Sequence, residues 1–344
     1  MTEKKISVII PCYNVSAWID RCLQSVAQQS IGMEELQIIC VDDCSTDDTL
    51  TKLKAWEEKY PEAFLLIESE TNGRQGAARN IGLSYAEAEW IVFLDSDDWL
   101  EPLALEKLYG KAAGSAYDMV IGDNIRDKSR ELRYLTENER KNGKADHELR
   151  VENVSLRRKL IRENLVSFAA WGRIIRKSFL KENSICFPEG LAYEDIYWGS
   201  LINYYVRRVY FIEEKLYHYF VNDASTILKS GDYHTDMLTV NVILWREVHR
   251  RGLDAVYRDE IECELIYSGL LAFLKVIALR FETPPYSLYR LLGAFAEEYL
   301  PQPRRNPYYA GLPEFHRLML DALYMEMNKR DFRAFIEDVK RIGL

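Results

Sequence analysis

The 344-residue sequence lacks several features that would place it in a simple class of proteins. Acidic residues outnumber basic residues by 54 to 45, and this net charge of −9 argues against a nucleic-acid partner. No apolar run approaches the ~20 residues that a membrane-spanning helix needs. Charged residues at positions 3–5 lead directly into an apolar stretch, so we expect no signal peptide.

Cysteines are few and scattered along the chain. The six cysteines show no framework spacing, and two of them, Cys12 and Cys40, lie within apolar stretches. This distribution predicts free thiols in a reducing cytoplasm rather than a set of disulfides. Cys22 and Cys44 likewise have no histidine at the spacing of a zinc site, so we do not expect zinc.

Three apolar segments in the first hundred residues each end in polar residues. They are Ile6–Asn14, Leu36–Asp43 and Ile91–Asp98, and helical periodicity separates them. Strands that alternate with helices predict an α/β fold with a mostly parallel, doubly wound sheet flanked by helices. Ligands of such sheets bind beyond the carboxyl ends of the strands, where all three polar clusters would lie.

The third segment carries the most informative cluster. Asp95 and Asp97 follow a buried strand and are separated by one residue, with Asp98 next to them. Two carboxylates at this spacing offer hard oxygen ligands to Mg²⁺ or Mn²⁺, which would hold a phosphate-bearing substrate. The alternative is a solvated acidic turn that ends the strand.

The last third of the sequence has a different pattern. Beyond residue 229, apolar residues recur at helical spacing, which predicts an all-helical domain over 230–344 after an α/β domain over 1–229. This domain could gather an acceptor, pair two copies of the chain, or rest against a membrane face. Packing within the domain itself explains the same pattern.

Four motifs, in order, resemble those of glycosyltransferase family 2, whose members have a GT-A fold with a Rossmann-like sheet. The matching segments are Val8–Asn14, Val41–Thr49, Asn72–Leu83 and Phe93–Asp98, with a later match at Tyr193–Asp195. The match is specific over about the first hundred residues and weaker to about residue 225.

The resemblance implies a binding site for a nucleotide-sugar donor. Asp43, with Asp42 beside it, would accept the ring N–H of the base, and because a carboxylate only accepts, uracil is the natural partner. Asp42 could instead cap the following helix, as could Asp47. The remaining implied donor-site residues are Pro11 and Tyr13 along the base and ribose, Asp95 at the ribose or the metal, Ser96 beside it, and Asp97 on the divalent cation.

The loop from Gly73 to Arg79 leaves two interpretations open. Arg79 and Arg74 could approach the diphosphate of the donor, as the resemblance implies. Arg79 could instead lock this loop to the sheet, since Ala77, Ala78 and Ile81 have helical spacing.

The resemblance also implies residues on the acceptor side. Asp195 would be the general base for the acceptor hydroxyl, with Glu194 as a supporting group, although the pair could be an exposed acidic helix start. His218, in a closing strand and loop over 216–227, would complete the metal shell or contact the diphosphate, unless it is structural. Trp171 would form a sugar-stacking wall or belong to the core, and Arg173 stands where the family usually has lysine.

These features and the resemblance predict a cytoplasmic, metal-dependent glycosyltransferase, and the resemblance alone implies that it inverts the configuration of the sugar. It would move a sugar from a UDP-sugar to a hydroxyl of a glycan or lipid-linked glycan in polysaccharide or lipopolysaccharide synthesis, in the cytoplasm or at the inner face of the plasma membrane. A sugar nucleotidyltransferase is a weaker alternative, because Pro11–Asn14 stands where a glycine-rich phosphate loop would be. A non-catalytic component of a glycan synthase complex is the third hypothesis.

Overall fold

The first part of the chain alternates strands and helices, as the apolar pattern predicts. The computed structural model describes residues 4–222 and 229–342, so positions 223–228 of the predicted closing loop lie outside the described residues. Within those ranges the strands are β1 to β9 in chain order: Ile6–Cys12, Leu36–Asp42, Phe64–Glu68, Trp90–Phe93, Trp99–Leu100, Met119–Asp127, His147–Arg150, Arg173–Arg176 and Arg208–Phe220.

Helices connect many of these strands and are the regular elements that follow β9. The helices are α1 to α14 in chain order: Ile19–Ala27, Thr49–Lys59, Arg74–Tyr85, Ala104–Ala112, Glu137–Arg140, Val154–Glu163, Lys177–Glu182, Glu194–Tyr205, Asp236–Arg250, Asp254–Glu264, Ala272–Leu279, Tyr286–Tyr299, Glu314–Ala322 and Lys329–Ile342. A π-helical turn, Leu265–Leu271, joins α10 to α11.

The strands form one mixed sheet in the order β3-β2-β1-β4-β8-β6-β9-β5, with β7 also paired to β9. The first four strands in this order are parallel, and β8 then runs antiparallel to β4. Cys12 lies opposite Asp42, and Ile9 lies opposite Phe93. The polar residues that follow β1, β2 and β4 therefore meet at one edge of the sheet.

Helices cover both faces of the parallel strands. All seven residues of β1 and of β2 are buried, as expected for strands that are covered on both sides. Ile19, Leu23 and Val26 of α1 belong to the apolar cluster on one face. On the other face α3 packs closely on β1, because a Cβ at Gly82 would lie 2.4 Å from a methyl carbon of Ile9.

The chain divides into two compact units. The first contains the chain up to Val154 together with Val166–Asn222, and the second joins Ser155–Leu165 to the C-terminal helices. Within this second unit, Arg158 Nη2 donates to the Val256 carbonyl at 3.0 Å. The predicted α/β class followed by a helical region is confirmed, while the division at residue 229 stays a prediction. Among the described helices, none combines the length and apolarity that a membrane span requires.

Candidate active site

The loops after β1 and β2 are tied together at the carboxyl edge of the sheet. The Asn14 amide donates to Ser45 Oγ at 3.1 Å, and the Thr46 amide donates to Asn14 Oδ1 at 2.7 Å. Asn14 and Cys44 have φ values of 51° and 62°, in the left-handed region that non-glycine residues rarely adopt. Such strained backbone is often found at binding sites.

Asp42 and Asp43 each keep one buried carboxylate oxygen without a hydrogen-bond partner. Asp43 Oδ1 accepts the Gly73 amide at 2.8 Å, and Asp42 Oδ2 accepts the Ser45 amide at 3.2 Å. Asp43 Oδ2 and Asp42 Oδ1 are buried and have no donor among residues 4–222 and 229–342. Burial raises the pKa of Asp43, against the lowering effect of the Gly73 amide. A buried acceptor without a donor is costly, so this oxygen is suited to a ligand N–H.

Pro11 and Tyr13 lie where the first strand leaves the sheet. Pro11 is buried in β1, and Tyr13, just beyond the strand, is 49% exposed. This edge therefore leaves an aromatic ring open to solvent next to the paired carboxylates.

Arg79 joins two carboxylates from distant parts of the chain. Its Nη2 donates to Asp95 Oδ1 at 2.7 Å, and its Nη1 donates to Glu194 Oε1 at 2.5 Å. The Arg79 side chain is 3% exposed, and its guanidinium lies 5.2 Å from the Phe187 ring. Burial lowers the pKa of Arg79, but the charges of Asp95 and Glu194 outweigh it and raise this pKa. Arg79 therefore stays charged and holds the end of β4 to the start of α8.

The turn after β4 separates its three aspartates by environment. Asp98 is buried and accepts from the Tyr217 hydroxyl at 2.5 Å and from the Phe220 amide at 2.7 Å. The Asp97 carboxylate receives no hydrogen bond from another residue of the described chain, although Arg21 Nη2 donates to its carbonyl at 2.5 Å. Burial, and then the charge of Asp95, raise the pKa of Asp97 to about 6. Asp97 is thus the carboxylate of this turn that no other described residue occupies, and the neighbouring Ser96 is buried.

The first turn of α8 brings the predicted base into the same cluster. Tyr193 precedes the helix with a φ of 64°, so the chain enters α8 through a strained residue. Glu194 is buried on Arg79, while Asp195 is half-buried. Burial, and then the Glu194 charge, raise the pKa of Asp195 to about 7. A carboxylate with that pKa can accept a proton near neutral pH.

Close packing between α3 and the segment before α8 holds this arrangement. Asn80 donates to the Phe187 carbonyl at 2.9 Å and accepts the Phe187 amide at 3.0 Å. A Cβ at Gly76 would lie 2.3 Å from the Pro188 carbonyl oxygen. The glycine-rich motif therefore permits a close contact with the chain that leads to Asp195.

The structure does not bring His218 to the aspartates of the β4 turn as a free ligand. His218 is fully buried, with Nε2 2.7 Å from Glu101 Oε1 and Nδ1 3.1 Å from Asp127 Oδ2. Its ring also stacks on Trp99 at 4.6 Å. Both ring nitrogens are used, so the predicted role of His218 in a metal shell has no support in this geometry.

Tyr217, rather than its neighbour His218, contacts the aspartates of the turn after β4. Its hydroxyl contacts both Asp98 and the Asp95 amide, the latter at 3.3 Å, and Trp171 stacks on its ring at 4.7 Å. Successive residues of a strand point to opposite faces, so Tyr217 and His218 could not both face the site. This alternation is the signal in the sequence that could have shown that only one of the two side chains faces the site.

The two other arginines of the motifs, Arg74 and Arg173, lie in different environments. Arg74 begins α3 with a φ of 63°. Arg173 begins β8, is 2% exposed, and uses Nε on the Trp171 carbonyl at 3.4 Å. Across residues 4–222 and 229–342, no three His, Cys, Asp or Glu side chains are grouped to hold a metal ion by themselves.

The fold and the acidic edge define a GT-A-like protein, and comparisons with known proteins agree. The sequence model of the Glycosyl transferase family 2 matches residues 7–183, more than half of the chain, so the chain belongs to this family. The crystal structure of S. aureus TarS 1–349 in complex with UDP is similar over 99% of this chain and 92% of that chain, with a TM-score of 0.66 and 23% identity.

Curated relatives include bacterial cell-surface glycosyltransferases. The chain is 31% identical to a poly(ribitol-phosphate) beta-glucosyltransferase of Bacillus spizizenii over 54% of its own length and 27% of the relative. It is 26% identical to the poly(ribitol-phosphate) beta-N-acetylglucosaminyltransferase TarS of Staphylococcus aureus, over 76% of its own length and 44% of TarS. The chain thus spans less than half of these relatives.

Proposed function

We propose that this chain is a glycosyltransferase that moves a sugar from a UDP-sugar to a hydroxyl of a cell-surface glycan or teichoic-acid-type polymer. The observation that carries the proposal is the Arg79 bridge, which joins Asp95 of the donor motif to Glu194 beside the predicted base. A donor-binding turn and a base are thereby fixed to each other across about a hundred residues of sequence. Family membership and the names of the relatives support the same class of reaction.

Asp43 would recognise the nucleotide base of the donor. Its Oδ1 is fixed by the Gly73 amide, so Oδ2 is the oxygen available to a ligand. A carboxylate oxygen accepts, and the imide N–H of uracil donates, whereas cytosine presents an acceptor at that ring position. This complementarity favours a uridine nucleotide, with Tyr13 exposed beside it.

The carboxylates fit a divalent cation shared with the donor diphosphate. The Asp97 carboxylate receives no hydrogen bond from another described residue, and Asp95 has one oxygen beyond its bond to Arg79. Mg²⁺ and Mn²⁺ sites of this kind take one or two carboxylates and complete their shell with phosphate oxygens and water. Such an ion, when bound, neutralises charge on the diphosphate.

Asp195 would take the proton of the acceptor hydroxyl. The acceptor oxygen forms a bond to the sugar C1 as the bond between C1 and the diphosphate oxygen breaks, and the nucleoside diphosphate departs. Attack from the face opposite the leaving group inverts the configuration at C1. The charge of Glu194, which is paired with Arg79, raises the pKa of Asp195.

The test compares Asp195→Asn with wild type for sugar transfer and for UDP binding. We expect a loss of turnover of roughly 10²–10⁴-fold, because a positioned base contributes about that much. UDP affinity should stay within a few-fold of wild type, since Asp195 does not contact the base-reading carboxylate. Full turnover in Asp195→Asn would remove the base assignment, and absence of UDP binding in wild type would favour a non-catalytic role.

Partners and location extend this proposal. A donor of this kind is cytoplasmic, and a lipid-linked acceptor would be met at the inner membrane face. Phe332, Ile336 and Val339 of the amphipathic helix α14 are buried, so this helix packs its apolar face against the protein rather than presenting it to a membrane.

A further inference from the structure

Arg173 is a buried charge that no carboxylate neutralises in the described chain. Its Nη1 is buried without an acceptor, and Nε, on the Trp171 carbonyl, is the only nitrogen of this guanidinium with an acceptor among the described residues. Arg79, by contrast, is equally buried but has two carboxylates. An unpaired buried charge is unfavourable, and proteins avoid it unless a ligand or a counter-ion completes the site.

A second buried donor without a partner lies beside Arg173. Trp198 is fully buried, and its Nε1 has no acceptor in the part of the chain that the structure describes. The Arg173 guanidinium lies 6.0 Å from the Trp198 ring. This distance runs from the guanidinium carbon to the centre of the ring, so the two groups are neighbours in the interior of the protein. An oxyanion with several oxygens can offer a separate oxygen to each donor, with each hydrogen bond about 2.9 Å long.

The position of this pair relates it to the candidate active site. Trp198 follows Asp195 by three residues on α8, which is about one helical turn. Its ring stacks on Phe187 at 5.1 Å and meets Phe93, at the end of β4, edge-on at 6.0 Å. The pair therefore belongs to the wall that supports the predicted base.

We propose that Arg173 and Trp198 form a binding site for a phosphate-class oxyanion, one helical turn from the predicted general base. Both groups only donate, so the site selects an acceptor and repels a cation. A neutral water could accept both hydrogen bonds, but it would leave the guanidinium charge uncompensated. Burial lowers the pKa of Arg173 to about 10, so this charge is present at neutral pH.

The proposed function suggests where such an anion comes from, and the inference rests on it in this respect. A phosphate group carried by the acceptor would be held near Asp195 as its hydroxyl approaches. Free inorganic phosphate has the same chemistry and is the second source.

The experiment measures thermal stability of the whole chain in sodium phosphate and in sodium chloride of equal ionic strength, with and without saturating UDP. Wild type should gain several degrees from phosphate beyond chloride, also when UDP fills the donor site. Arg173→Met and Trp198→Phe should lose this gain. Arg126→Met, which removes an exposed arginine, should keep it.

The order of stability of wild type and Arg173→Met should reverse between chloride and phosphate. This reversal distinguishes an anion-binding arginine from a purely structural one. In chloride, Arg173→Met should be as stable as wild type or more stable, because an uncompensated charge has been removed. In phosphate, wild type should be the more stable protein. An equal phosphate gain in wild type and Arg173→Met, or no gain in either, overturns the proposal.

Kinetics then identify the source of the anion. If the acceptor supplies it, Arg173→Met should raise KM for a phosphodiester-bearing acceptor at least tenfold and leave KM for UDP-sugar unchanged. If free phosphate supplies it, the variant should change phosphate binding alone. UDP binding without a phosphate effect would overturn this site and leave the proposed function intact. A phosphate effect without UDP binding would do the opposite.

Discussion

Replacing Arg79 with methionine removes the charge that holds the two halves of the candidate site together. The side chain keeps similar length, but Asp95 and Glu194 each lose a charge-assisted hydrogen bond of 2.7 and 2.5 Å. Breaking a buried ion pair by removal of one partner costs about 3–5 kcal/mol. For a unit of roughly 150–250 residues, about 2–4 °C per kcal/mol gives a fall in Tm of about 6–20 °C.

The size of this fall should depend on pH in a direction that the site dictates. The pKa values of Asp97 and Asp195 already stand at about 6 and 7, above the usual 3.8, and loss of the Arg79 cation raises that of Asp195 further. A carboxyl group with a raised native pKa binds protons more tightly when folded, so its stabilising contribution is complete below pH about 4 and is lost as pH rises through the native pKa. The Tm difference should therefore be larger at pH 8 than at pH 5.5.

Thermal unfolding of both proteins across this pH range tests the reasoning, with Arg126→Met as the exposed control. A double-mutant cycle with Glu194→Gln adds a second check. The double variant should lose less than the sum of the single losses, because each single change leaves an unpaired partner. A Tm within 2 °C of wild type at pH 8, or a difference that grows on acidification, would refute the bridge as the support of the site.

Three further expectations follow from the same geometry. Asp43→Asn should weaken UDP binding about 10–100-fold and narrow its advantage over CDP, measured by calorimetry, because an amide can donate to cytosine. The logarithm of kcat/KM for wild type should rise with unit slope up to about pH 7 and level above it, and Asp195→Asn should show no such limb. Gly76→Ala should destabilise by about 1–3 kcal/mol in thermal unfolding, because its Cβ meets the Pro188 carbonyl, whereas Gly110→Ala, in open space on α4, should stabilise by about 0.5–1 kcal/mol.

The sequence predicted those parts of the molecule that local patterns determine. Apolar segments of β1, β2 and β4 end in polar residues, and a parallel sheet brings such ends together regardless of the details of packing. Helical periodicity likewise predicted the C-terminal helices, since one apolar face per helix is enough to specify them. Both predictions depend on spacing within about ten residues.

The contacts between side chains within the site could not be predicted in the same way. His218 and Tyr217 are adjacent in sequence, and which of them faces the aspartates depends on the pairing of β9 with β5 and β6. The register places His218 against Glu101 and leaves Tyr217 to the β4 turn. Local sequence offers two candidates, and a pairing between distant strands selects one.

The pairing of the two buried arginines with acidic residues could not be predicted from local sequence either. Arg79 lies near no acid in sequence, yet folding brings Asp95 and Glu194 to it from opposite sides. Arg173 has acidic residues at a similar distance along the chain, and folding brings none of the described ones to its guanidinium. Burial of a charge is unfavourable unless something neutralises it, so the first arginine stabilises the apoprotein, and the second is the one that we propose to bind an anion. The distinction between a structural arginine and a binding arginine therefore exists only in three dimensions.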